Sequence, residues 1–432
     1  VNIPPEAVTS GLNRRQVLTA AALATPAIIL TTAVPAHATS ADSAVSVDIA
    51  AATVTTGTLA TTVTATVLDS DGNPWAGQFV TLSATGAVAT FGSPTGTTDG
   101  AGQFTTTLNV AAGTAPGTVV TVTATSGPLT TADTATVATT TTITTIGATD
   151  DVAITPDGTH AYVTNIDNGT VSRIDIAANA VVGAPITVGT KPFGLAISPD
   201  GTFVYVTNDV SSTVSRIGTA TNTVTATITV GANPRDVAIS PDGTFAYVTS
   251  YGSSTVSRIN TATDTVTATI IGGAGARGVA ISPDGTFAYV TDYDSNTISR
   301  IDTATNTVTA TITAGGTGPF AVAISPDGTF AYVTNDASAV KTISRIETAS
   351  NTITATFTAG TRPFGLAFSP DGTFAYATDY SSGTLIRINT ATNTVTATTT
   401  VGTIPSGVAF SPNGTFAYIA QRGSSTVSRI GT

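Results

Sequence analysis

The chain contains no cysteine, no methionine, only two histidines, and charged residues at just 9% of its 432 positions. Each scarcity removes a class of chemistry. Without cysteine there are no disulfides, no thiolate metal sites and no cysteine nucleophile. With methionine missing as well, the sulfur ligands of haem and copper centres are gone. The formal net charge is −11 and no run of Lys or Arg exists, so the basic stripe that a phosphate backbone needs is lacking and nucleic acid is not an expected partner. Long hydrophobic runs are scarce too. Only Leu18 to Val34 approaches a membrane span; Pro26 and Pro35 bound its second half, and at about 17 residues it is short for a helix that crosses a bilayer.

What the chain does have is β-branched residues in alternation, with a hydrophobic content of 41%. Thr and Val are stiff at χ1 and fit a pleated surface, so the expectation is an all-β fold. The phrase Ser-Pro-Asp-Gly-Thr-Phe-Ala-Tyr-Val-Thr recurs in near-identical form with its proline at 156, 199, 241, 283, 326, 370 and 412. The steps between those prolines are 43, 42, 42, 43, 44 and 42 residues. A second phrase, Val-Ser-Arg-Ile, tracks it at Arg173, Arg216, Arg258, Arg300, Arg345, Arg387 and Arg429. A period in the low forties with four short alternating segments per copy predicts a β-propeller, and seven copies predict seven blades.

In the second copy, residues 194–198 form strand a, Pro199-Asp200-Gly201-Thr202 a tight turn, and 203–207 strand b. Strand c follows at 213–217 and strand d at 223–228. The chain stops just after a strand c, while residues 139–146 offer an extra strand ahead of the first strand a. The expectation is that this segment completes the last blade and removes an exposed sheet edge, although Ile143 and Ile146 are out of phase for a simple alternating strand. Ahead of the repeats, residues 41–138 read as short strands between turn clusters, which argues for a β-sandwich. Asp69, Asp71 and Asn73 admit a calcium reading, but Asx-Gly clusters make turns unaided and no acidic residue completes a loop.

Three resemblances follow from these motifs. Tyr-Val-Thr-Asn at 162–165, 205–208 and 332–335 resembles the YVTN-type repeats of surface-layer and other exported microbial propellers, over residues 139–432. Asp71-Gly72-Asn73-Pro74-Trp75-Ala76-Gly77 and Thr98-Asp99-Gly100-Ala101-Gly102-Gln103 resemble the bacterial immunoglobulin-like domains of invasin and intimin, which implies a spacer or adhesive module at residues 41–138. Asn13-Arg14-Arg15-Gln16, the apolar stretch and Ala36-His37-Ala38 resemble a twin-arginine signal peptide at residues 1–38. That resemblance implies a secreted or cell-envelope protein with no transmembrane span once the leader is gone.

Strand direction puts the a–b and c–d turns on one face of the disc and the b–c and d–a loops on the other. The first set barely changes between copies, whereas the second varies, so recognition is expected there. Six residues ahead of each turn proline stand Asp150, Phe193, Arg235, Arg277, Phe320, Phe364 and Ser406, a ring expected at the channel mouth. The b–c loops add Asp209, Tyr251, Asp292, Tyr293, Asp294, Tyr380, Asp336 and Arg422. Aromatics among mixed charges suit a binding face, and they equally suit the capping of blade cores. The strand-c arginines are expected to pair with turn aspartates such as Asp200 and Asp242.

The case for an enzyme is thinner. His160 takes the slot that Phe203, Phe245 and Phe287 fill elsewhere, on the invariant face, and Glu347 lies on that face too. Asp150, Asp151, Asp236 and Asp292 offer a hard-cation site of the kind some lactonase-like propellers use, with no fixed motif behind it. The sequence therefore reads as a non-enzymatic binding or scaffold protein for an envelope protein or glycan, with no cofactor and calcium as the one candidate ion. The alternative is a lactonase-like or lyase-like enzyme working at the channel mouth.

Overall fold

The computed structural model describes residues 27–32, 43–49, 53–55, 58–69, 73–74, 76–85, 89–111, 119–126, 129–337 and 341–432. Arg14, Arg15, Asp71 and the Ala36-His37-Ala38 segment lie outside them. Among these described residues every regular element is a strand. Seven units of strands a to d form the propeller, strand d of blade 1 being broken into Ala180–Val181 and Ile186–Thr187. In blade 2 they are strand a (Pro192–Ile197), b (Phe203–Asn208), c (Thr213–Gly218) and d (Thr223–Thr229), hydrogen-bonded in that order.

Burial explains the residue choice in each strand. Strand b is packed on both faces because neighbouring blades stack on it, and all six of its residues are buried in blade 2. Strand d is outermost and keeps alternate threonines in water. Between blades, Phe203, Tyr205, Val214 and Ile228 of blade 2 pack against Val237, Ala246, Val248 and Ile259 of blade 3. The same layer recurs around the ring.

The invariant turns are built from their own side chains. Asp200 Oδ1 accepts from Ser198 Oγ at 2.6 Å and from Thr202 N at 3.0 Å. Gly201 sits at φ 72° and packs on Pro156 of the preceding blade, with 3.5 Å between its Cβ direction and the proline ring. These bonds hold the Asp200 carboxyl below its usual range. They also correct the expected ion pairs: Asp200 and Asp242 serve their own turns, Arg216 and Arg258 lie over Phe203 and Phe245 at 4.2 and 4.4 Å, and the turn aspartate that Arg216 does meet is Asp264 of the next blade, at 3.5 Å.

Tyrosine supplies a tie between blades. Tyr162 donates to Asn222 Oδ1 at 2.8 Å, and Tyr205, Tyr247, Tyr289, Tyr332 and Tyr418 repeat the bond to the c–d turn of the following blade. Asn222 adopts φ 54°, a conformation asparagine tolerates, which aims its side chain at the tyrosine. Tyr376 has no such turn to meet, because the outer strand of blade 7 does not follow its strand c.

That outer strand comes from the other end of the chain. Residues 141–144 pair with Thr426–Arg429 of blade 7, as Thr141 to Arg429 and Thr144 to Thr426. Ile143 is buried, whereas Ile146 lies past the strand and is exposed, which resolves the mismatch in phase. The ring is fastened again where Thr149 donates to Thr426 O at 3.0 Å and Ser406 Oγ to Asp150 O at 2.6 Å. The same long strand, Leu129–Thr144, also pairs through residues 129–136 with Val119–Ser126. Ahead of the propeller the described strands form two antiparallel groups, one of them built on Thr58–Asp69. Residues 27–32 of the apolar stretch are a strand paired with residues 135–140. Among the described residues no helix is long and apolar enough to cross a membrane.

Candidate functional site

Strand a is the innermost strand of every blade, and its first residues leave the ladder. In blade 2 the register shifts between Pro192 and Leu195, so Phe193 and Gly194 form a bulge at the channel mouth. The other blades do the same. As a result Asp150, Phe193, Arg235, Arg277, Phe320, Phe364 and Ser406 converge on one cavity of about 210 Å³. The sequence placed this ring correctly. Beneath it lies a second layer: Asp151, Gly194, Asp236, Gly278, Ala321, Gly365 and Gly407. Strand-b threonines hold the rim in place; Thr207 Oγ1 donates to Arg235 O at 3.0 Å and accepts from Gly194 N at 3.0 Å.

The rim is a belt of rings and guanidiniums. Arg277 lies 3.8 Å from the Phe320 ring centre and 4.8 Å from Tyr293, and Arg235 lies 4.4 Å from Phe193. Phe320 meets Phe364 at 3.7 Å, and Phe364 meets Tyr380 at 4.9 Å. Tyr251 and Tyr293 continue the belt outward at 6.4 Å. Most of these rings are half-buried. Phe364 is buried, and the rings pack on one another along the rim.

Charges on the rim are matched unevenly. Arg362 grips Asp336 with two bonds, Nε to Oδ1 at 2.6 Å and Nη2 to Oδ2 at 3.0 Å, and lies over Tyr380. Arg362 stands in a d–a loop, and only its variable position marked it in the sequence. Arg235 faces Asp209 at 3.6 Å, and Arg422 faces Asp150 at 3.5 Å. Asp294 accepts from Tyr251 at 3.1 Å. Arg277 has no carboxylate partner among the described residues, and its Nε is buried without an acceptor. Burial and the nearby Arg235 pull its pKa down to about 10.

In the lower layer, Asp151 and Asp236 face the same channel. Asp151 accepts from Val152 N at 2.9 Å and Leu195 N at 3.1 Å; Asp236 accepts from Val237 N at 2.8 Å and Val279 N at 2.9 Å. Burial, with the Asp236 charge second, pushes Asp151 up to about 8, and burial pushes Asp236 up to about 6.

Asp292 is not on this surface. It closes strand b of blade 4, fully buried, and accepts from Ser299 Oγ at 2.7 Å. The slot holds asparagine in three other blades, as at Asn208, and Ser250, Asp379 and Gln421 in the rest. With Asp292 inside a blade and Asp150 turned to Arg422, the four expected carboxylates do not form one cation site. Among the described residues no group of three or more His, Asp or Glu is arranged to hold a metal. His160 lies 3.9 Å from Asp175, and Glu347 pairs with Arg345, both remote from the cavity.

Comparison with known proteins agrees with this architecture. The family model described as "Lactonase, 7-bladed beta-propeller" matches residues 217–360 and 313–431. A solved structure of Kuenenia stuttgartiensis hydrazine synthase superposes with a TM-score of 0.63 at 24% identity, over 66% of this chain and 96% of that one. At that identity the likeness is one of fold. No curated protein matches the chain. From blade 2 to the end of blade 7 the chain is thus similar to the seven-bladed lactonase propellers, and its fold is a seven-bladed β-propeller.

Proposed function

We propose that this is an exported cell-envelope or secreted recognition protein. An immunoglobulin-like spacer carries a propeller that binds its ligand at the channel mouth, on the variable-loop face. The observation that carries this reading is the cavity itself. Side chains of four kinds from seven equivalent positions converge there, and one of them, Arg277, is a guanidinium with no carboxylate partner among the described residues. A repeat that only had to fold would not diversify this ring while keeping the opposite turns constant. Concave sites with apolar walls and a few polar groups are the usual form of a ligand pocket. A screen of glycans, envelope proteins and small organic acids tests it. Hits should be lost in Arg277→Gln and Phe193→Ala, and binding that ignores both variants refutes the reading.

A second reading has its own support. The lactonase family match, together with two channel carboxylates whose affinities for a proton differ, favours ester or lactone hydrolysis at the same place. At neutral pH Asp151 would hold a proton and Asp236 would not, a pairing that suits acid and base roles. Lactone turnover that disappears in Asp151→Asn and Asp236→Asn would favour it; no turnover above background, with or without calcium, would leave recognition as the function.

A further inference from the structure

The lower layer of the channel carries a pattern that the side chains alone do not reveal. Strand a uses one edge for strand b, and the register fixes which of its amides face the other way. In blade 5 Ser325 N bonds to Phe330 O at 2.8 Å, so Ala323–Tyr332 is a bonded pair and Val322–Val333 a non-bonded one. The N–H of Val322 therefore points away from strand b, into the channel. The same count applies to Leu366 in blade 6 and Val408 in blade 7. It applies also to Leu195 and Val279, whose amides are the ones met by Asp151 and Asp236.

The ring of seven amides is thus divided. Asp151 spans those of Val152 and Leu195, one oxygen to each, and Asp236 spans those of Val237 and Val279. The remaining three, on Val322, Leu366 and Val408, have no acceptor among the described residues. Their blades carry Ala321, Gly365 and Gly407 where a spanning aspartate would stand. All three residues line the cavity.

We propose that the amides of Val322 and Leu366 bind the carboxylate of an organic acid, in the geometry that Asp151 and Asp236 already display, with its apolar body under Phe320 and Phe364. This rests on the reading of the mouth as a ligand site and names the ligand's class. The chain's own Asp236 shows that neighbouring amides of this ring hold a carboxylate bidentately, Asp151 repeats the geometry, and bonds from N–H to a charged acceptor are the stronger kind. Blades 5 and 6 stand farthest around the ring from both aspartates. Arg277, on the adjacent blade 4, supplies the positive charge that offsets the repulsion of Asp236. Phe320 and Phe364 are the rim residues of those same two blades.

The probe is benzoate, with benzamide as its neutral isostere and phenyl phosphate as the other anion, titrated into the 15N-labelled full chain. Benzoate at about 1 mM or tighter, an affinity within reach of a fragment this small, should move the amide signals of Val322 and Leu366 downfield. Those of Leu195 and Val279, already bonded, should stay. Ala321→Asp should place a third aspartate across the same two amides, since Gly278 leaves the preceding blade open as Gly407 and Gly194 do for Asp151 and Asp236. That variant should lower benzoate affinity at least tenfold while the protein melts no earlier. Unmoved Val322 and Leu366 signals, tighter binding of phenyl phosphate, or full affinity in a folded Ala321→Asp would overturn the proposal. If benzamide or a glycan shifts Phe193 and Arg235 but not these amides, the carboxylate arc is refuted and the mouth reading stands. The wild-type amide shifts decide the matter even if the variant does not fold.

Discussion

Asp292→Asn should stabilise the propeller, and the gain should depend on pH in a defined direction. Asn208, at the same position in blade 2, donates through Nδ2 to Thr213 and Ser215 hydroxyls at 3.1 and 3.0 Å. In blade 4 the equivalent hydroxyls of Thr297 and Ser299 donate to Asp292 Oδ2 instead, and Oδ1 is buried without a partner. Burial pushes the Asp292 carboxyl from 3.8 to about 6. A carboxyl whose folded pKa lies above its unfolded value binds more protons when folded, so stability falls as pH rises between those values and then levels off. A shift of that size corresponds to roughly 3 kcal/mol, an upper bound on what the charged form costs near neutral pH. Asparagine restores the amide that the slot takes in blades 1, 2 and 5, so a gain of about 1–3 kcal/mol is expected at pH 7.5, shrinking toward zero at about pH 4. Urea unfolding of the variant and the parent at both pH values measures this, because contributions from all other carboxylates cancel in the difference. A gain equal at both values, or a loss at pH 7.5, would refute the reasoning.

Other expectations follow from the same contacts. Deleting residues 139–147 should leave blade 7 with three strands and an open edge, lowering the melting temperature of the whole propeller and raising aggregation; an equally stable soluble product would show that the ring closes without it. Tyr247→Phe should cost about 1 kcal/mol by removing the bond to Asn306, while Tyr376→Phe should be near neutral because it meets no such asparagine; equal losses would mean the tie between blades carries no stability. Phe364→Ala should destabilise by about 3 kcal/mol, as a buried ring does, whereas Phe193→Ala should change stability by less than about 1 kcal/mol; thermal melts distinguish the two.

The sequence alone determined the parts of this protein that depend on local chemistry and period. Seven spaced turns, alternation in every strand and the extra segment at residues 139–146 carried the blade count and pointed to the closure, because each blade buries the same faces with the same residues. The rim ring was legible for a similar reason: a fixed offset from the turn proline is a fixed place in the blade. Partners were not legible. Asp200 and Arg216 look like a pair in one repeat, yet a short Asx turn claims the carboxylate, and the guanidinium goes to an aromatic face and to Asp264 of the next blade. Tyr162 finds Asn222 in the next blade, and a periodic sequence cannot say whether a contact is made within a copy or between neighbours. Asp292 read as a loop acid because its two neighbours, Tyr293 and Asp294, are loop residues, and only the register shows it as the last residue of strand b. The channel amides lay furthest from view, since every residue but proline has the same N–H and tertiary packing alone decides that those of Val322, Leu366 and Val408 face a shared cavity instead of a neighbouring strand.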